Sequence, residues 1–141
     1  MRLWHKDIIP YLPKGQLLAQ WRELNSIFAK EDNHILINYI YQYEKHFLFH
    51  YTNLVTDEML NRGIKVRSYE KFNKYFTCLS EPQSGKKEFI KNFNEDFEEH
   101  DSFYLLVCYY NLAEKFARGQ KDYPVELFKK LHNFMREGGL I

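Results

Sequence analysis

The chain has 141 residues, a formal net charge of +1 and 18% aromatic side chains, which suits one domain (1–141) with bulky material for a real core. Near-neutral charge argues against a dedicated nucleic-acid binder, for which a clear basic excess is expected. The start (Arg2, His5, Lys6, Asp7) lacks the apolar run of a signal peptide, and Tyr104 to Tyr110 is too short to span a bilayer, so a soluble, cytoplasmic, monomeric protein without membrane partners is expected, with Cys78 and Cys108 reduced.

The charge is unevenly spread. Residues 1–30 hold five Lys/Arg and two acids, and 61–91 hold eight Lys/Arg and three acids. Residues 31–60 hold one Lys and five acids, and 92–101 hold five acids without a Lys or Arg. The two basic segments form one positive face if the fold brings them together; otherwise they are ordinary surface alternation.

Helical periodicity runs almost throughout. After Pro10 and Pro13, apolar residues recur at Leu17, Leu18, Trp21, Leu24 and Phe28, which predicts a first helix. A second is predicted from an Asp32 or Asn33 cap through Ile35, Leu36, Tyr39, Ile40, Tyr43, Phe47, Tyr51, Leu54, Val55 and Met59, ending at Arg62-Gly63. Lys65 to Gly85 is less periodic and holds the turn cluster Glu81-Pro82-Gln83-Ser84-Gly85. A third helix is predicted over Lys86 to Glu98, burying Phe89, Ile90, Phe93 and Phe97. A fourth opens at Asp101 or Ser102, buries Leu105, Cys108, Leu112 and Phe116, and ends near Arg118-Gly119. A fifth has Pro124 in its first turn and Asp122 as cap, carries Val125, Phe128, Leu131 and Met135, and stops at Gly138-Gly139. No segment alternates strictly, so the expected class is all-α: a compact bundle of about five helices crossing at varied angles.

On the first helix, at about 100° per residue, Leu17, Trp21, Leu24 and Phe28 form one stripe, while Ala19, Arg22, Glu23, Ser26 and Lys30 fall opposite it. By pattern alone Glu23 is a solvated glutamate beside an arginine. The run Leu18-Ala19-Gln20-Trp21-Arg22-Glu23-Leu24 nevertheless resembles the segment Met-Ala-Glu-Tyr-Arg-Glu-Leu of the pyrimidine-dimer DNA glycosylases, the phage endonuclease V family. Its distance from the initiator methionine is similar. A looser similarity covers Tyr43-Glu44-Lys45 and Glu58-Met59-Leu60-Asn61-Arg62-Gly63, so the resemblance extends over roughly the first half of the chain. The opening Met1-Arg2-Leu3-Trp4-His5-Lys6-Asp7 looks characteristic of a bacterial branch.

The resemblance implies action on damaged double-stranded DNA. The N-terminal α-amine attacks C1′ and forms a Schiff base, a glutamate matching Glu23 assists that step and the β-elimination that nicks the strand, and Arg22 sits by the phosphates. It implies no metal and no organic cofactor. An α-amine suits this chemistry, because it ordinarily titrates at roughly 7.7–8.0 against about 10.4 for lysine. Residue 2 is Arg where the phage enzymes have Thr, and so large a side chain is expected to block methionine removal, leaving the amine on Met1. Gln20 and Ser26 stand where the family has a glutamate and a basic residue. Met1 and Glu23 are thus the catalytic candidates, with Arg2, Trp4, His5, Lys6, Lys14 and Arg22 as DNA contacts.

Other patterns carry weaker signals. His46 and His50, at i and i+4, could share a metal with His34 or Glu44, or simply pack. Trp4 could stack on a base or anchor the core. The run Arg67 to Phe76 interleaves basic and aromatic residues and could contact a DNA backbone or be a plain amphipathic surface. The rival functions are a non-catalytic nucleic-acid-binding module and a protein-interaction module on the same scaffold.

Overall fold

A computed structural model describes residues 1–77 and 96–141. The described residues are helical with no strand, in agreement with the all-α expectation. In chain order they form a 3-10 helix Lys6–Tyr11, α1 (Lys14–Ala29), a 3-10 helix Asn38–Gln42, α2 (Lys45–Asn61), α3 (Glu70–Tyr75), α4 (Ser102–Ala117) and α5 (Val125–Glu137). None is long and apolar enough to cross a membrane. The predicted helix over residues 86–98 and Cys78 lie outside the described residues, except that residues 96–98 are bend and turn with Phe97 buried.

The first helix forms where its stripe predicts: Leu17, Trp21, Leu24 and Phe28 are buried, joined by Ile27. It packs on α2 and α3. The 3-10 helix Lys6–Tyr11 sits against α2, α4 and α5 and buries Ile8 and Ile9. Its chain exit is tied down by side chains from distant elements. The Arg62 guanidinium donates to the carbonyls of Leu12 at 2.7 Å and Pro10 at 3.0 Å, and the Tyr123 hydroxyl donates to that of Tyr11 at 2.9 Å.

The second predicted helix is corrected at its start. Residues 32–44 are not its first turns but a separate turn and 3-10 segment, and α2 begins only at Lys45. Asp32 and His34 spend their side chains on local turns, accepting from the backbone N–H groups of His34 and Leu36. The following Ile35, Ile37, Tyr39, Ile40 and Tyr41 are β-branched or aromatic, poor material for a helix. Consequently Ile35 is 80% exposed and Leu36 is also exposed, while Ile37 and Ile40 are buried. At the other end the prediction holds. Gly63 has φ +74°, its N–H reaches the Leu60 carbonyl and that of Ile64 the Met59 carbonyl, the paired bonds of a glycine-terminated helix.

The start of α4 also matches, with Asp101 accepting from the Tyr104 N–H at 2.9 Å. Asp122 does not cap α5, as its position suggested; Pro124 precedes that helix without a side-chain cap. Asp122 instead accepts from the Gly15 N–H at 2.6 Å, in the first turn of α1, which Pro13 leaves uncapped. A Cβ at residue 15 would lie 2.6 Å from the Asp122 oxygen, so the approach uses the missing side chain.

Bonds from Gln120 and Gly15 hold the Asp122 carboxyl below its ordinary value. A depressed carboxyl stabilises the fold above the ordinary carboxylate range, and that contribution is lost as pH falls through the folded value. Asp122→Ala should therefore lower stability by about 1 kcal/mol at neutral pH, the usual worth of a helix cap. Urea unfolding across the acid range should show the difference from wild type shrinking toward low pH.

Candidate active site

The site begins with a backbone problem. Residues 2–4 belong to no helix or strand, so their buried polar groups must find partners among side chains. Gln20, 0% exposed on α1, meets two of them: its Oε1 accepts from the Trp4 N–H at 2.8 Å and its Nε2 donates to the Arg2 carbonyl at 3.1 Å. Those two partners, a fixed donor and a fixed acceptor, set the orientation of the amide. The Tyr51 hydroxyl from α2 lies 2.6 Å from the Trp4 carbonyl, to which it donates, and 3.0 Å from Gln20 Oε1. The Tyr104 hydroxyl from α4 donates to the Leu3 carbonyl at 2.6 Å. Burial pushes both tyrosines above their ordinary value, so they stay neutral donors.

This clamp brings the chain start to Glu23. Gln20 Nε2 lies 3.3 Å from Glu23 Oε2, and the N-terminal ammonium and Arg22 are the two charges that act on the Glu23 carboxyl. Burial outweighs both, so Glu23 is raised above the ordinary glutamate value and is half-buried rather than solvated. A half-buried carboxyl that holds a proton more readily, beside an amine, can exchange protons with a group reacting at that amine.

The other predicted contacts fall in different places. Trp4 is 5% and His5 3% exposed, so both are packed into the core and present no surface to a duplex. Arg2 is half-buried, with its guanidinium 5.9 Å from the Trp4 ring centre and its charge acting on Tyr104 and Cys108. Lys6 is paired with Asp96. Lys14 and Arg22 are exposed. Beneath the start of the chain, His5 stacks on buried His100 at 5.6 Å, and His100 shares a 2.6 Å hydrogen bond with the Tyr39 hydroxyl. Burial lowers both histidines, His100 to about 3.

Arg22 also lines a cleft of about 550 Å³ between α1 and the segment before α3, shared with Trp21, Lys65, Arg67 and Lys71. The two basic segments of the sequence therefore do meet. A second cleft, of about 440 Å³, includes Lys6, His50, Asp57, Asp96 and His100 but neither Arg22 nor Glu23. His46 and His50 stand 6.4 Å apart between ring centres, His46 lies 3.3 Å from Glu44, and no group of three or more potential metal ligands occurs among the described residues. Gln20, Tyr51 and Tyr104 are the residues that pattern reading missed. For Gln20 the signal was present, since it lies seven residues before Ile27 on the flank of the apolar stripe.

The sequence model described as pyrimidine dimer DNA glycosylase matches residues 1–71, just over half of the chain. No curated protein and no solved structure matches it.

Gln20→Glu tests the clamp with almost no change of shape. An ionised carboxylate cannot donate to the Arg2 carbonyl and would stand beside Glu23. Loss of the donor to a buried carbonyl should cost about 1–3 kcal/mol at neutral pH. Burial disfavours the ionised form of the new carboxyl, so the deficit should grow as pH rises above the ordinary glutamate value and shrink in acid, where the protonated group donates again. Urea unfolding at the two pH extremes measures this.

Proposed function

Because the chain belongs to the pyrimidine dimer DNA glycosylase family, we propose that it is a DNA-repair glycosylase and abasic-site lyase acting on pyrimidine dimers or related lesions in duplex DNA. The Met1 α-amine is the nucleophile. It attacks C1′ of the damaged nucleotide, forming the C1′–N bond as the glycosidic bond breaks and the base leaves with its electron pair. Opening of the sugar gives the Schiff base. Loss of a C2′ proton then expels the 3′ phosphate by β-elimination, nicking the strand.

Glu23 is the proton carrier and the negative charge that stabilises the iminium. One observation carries this reading: the clamp on residues 2–4 sets the terminal ammonium where its charge acts on a half-buried glutamate. A carboxyl raised by burial is better matched to proton transfer near neutral pH than an ordinary one. Arg22 holds a phosphate beside the reacting sugar, a role supported by its exposure and its position in the cleft. Extruding a nucleotide costs a few kcal/mol, least where the base is damaged, and cationic contacts offset that cost. No cofactor enters the scheme.

The test is Glu23→Gln assayed for nicking of ultraviolet-irradiated duplex and of duplex with a single abasic site. Nicking should fall by about 10²- to 10⁴-fold, the range for removal of a positioned acid/base. The variant should fold, and above the ordinary carboxylate range it should be at least as stable as wild type. A raised carboxyl costs stability once ionised, and that cost disappears as pH falls below its ordinary value of 4.5. Unchanged nicking would overturn the role given to Glu23.

A further inference from the structure

We propose that the cleft between α1 and residues 65–71 holds the phosphodiester backbone of the DNA strand presented to Glu23; the inference rests on the function just proposed and names the contacts that grip its substrate. The cleft of about 550 Å³ is walled by Arg22, Asn25 and Ser26 on one side and by Lys65, Arg67 and Lys71 on the other. Its four cations face a single carboxylate, Glu70. None of the four forms an ion pair among the described residues. Four cations against one carboxylate around one concave surface repel one another and raise the local potential, and a polyanion relieves both.

The far wall is built to hold still. Val66 is buried between exposed Lys65 and Arg67, so the segment is pinned apolar side inward with its cations outward. Tyr69 then packs edge-on against Trp21 at 5.9 Å and against Phe72 at 6.0 Å. The Ser68 hydroxyl accepts from the Glu70 N–H at 3.2 Å, setting the turn into α3. Arg22 belongs to both regions: it lines the cleft and its charge acts on Glu23. A strand lying in the cleft therefore meets Arg22, the neighbour of Glu23 on α1. Duplex DNA is the occupant that the charge favours, since phosphates carry its affinity and make it salt-dependent.

The probe is a short duplex carrying one tetrahydrofuran abasic analogue, which lacks the C1′ hydroxyl needed for a Schiff base and so reads binding alone. Its affinity for the full chain is measured by fluorescence anisotropy from about 50 to 200 mM salt. The variant Lys65→Ala/Arg67→Ala/Lys71→Ala should bind at least about tenfold more weakly, with the slope of log K against log salt reduced by about 2–3, near 0.9 per phosphate contact. The charge-keeping variant Lys65→Arg/Arg67→Lys/Lys71→Arg should restore the slope. Should the triple alanine variant unfold, Arg67→Ala alone should lower the slope by about 0.9.

An alanine variant with the wild-type slope overturns the cleft assignment, even if wild type nicks abasic DNA. Steep salt-dependent binding that the alanine variant loses, in a wild-type protein that forms no Schiff base, overturns the catalytic reading and upholds the cleft. Wild-type protein that ignores the duplex at low salt overturns both.

Discussion

Everything at the site depends on how the first residues of the chain satisfy their backbone. A strand without a sheet normally stays in water, because each buried N–H or carbonyl left unpaired costs free energy comparable to a lost hydrogen bond. Here the partners are side chains drawn from three helices. Gln20 of α1 meets Arg2 and Trp4, Tyr51 of α2 meets Trp4, and Tyr104 of α4 meets Leu3. No one helix could hold the segment alone, so the start of the chain is located only when the helices have packed.

That arrangement explains the division of labour among nearby charges. Burial raises Glu23, while the terminal ammonium and Arg22 oppose the shift without cancelling it. The carboxyl is thus held between a desolvating core and two cations, with the net shift upward. Behind the segment His5 and His100 are both lowered by burial, so no extra positive charge builds up beneath it at neutral pH. Arg22, Lys65, Arg67 and Lys71 line one cleft instead. Ser26 lines this cleft opposite Lys65, Arg67 and Lys71.

Much of this was legible in the sequence. The α1 stripe, the Gly63 stop and the Asp101 cap each follow from a single local rule, and each appears in the structure. Residues 32–44 misled because aromatic and β-branched residues mimic a buried helical face while disfavouring the helix itself. Asp122 misled because a cap can be lent across the fold, and sequence distance hides that. At the site, the Arg22–Glu23 pair stood out only through resemblance, since periodicity placed Glu23 in solvent. The spacing of Gln20 from Ile27 marked it as buried, but its partners, Arg2 and Trp4, could be read only from the fold. The meeting of the two basic segments needed the fold.

The most direct test of the central claim, that a clamped N-terminal amine does the chemistry beside Glu23, is borohydride trapping. Folded wild-type protein with a confirmed free N-terminus would be incubated with duplex DNA carrying a natural abasic site, reduced, and the covalent adduct mapped by peptide mass. The account predicts a single adduct on the Met1 amine. No adduct, or an adduct on a lysine side chain, would contradict it.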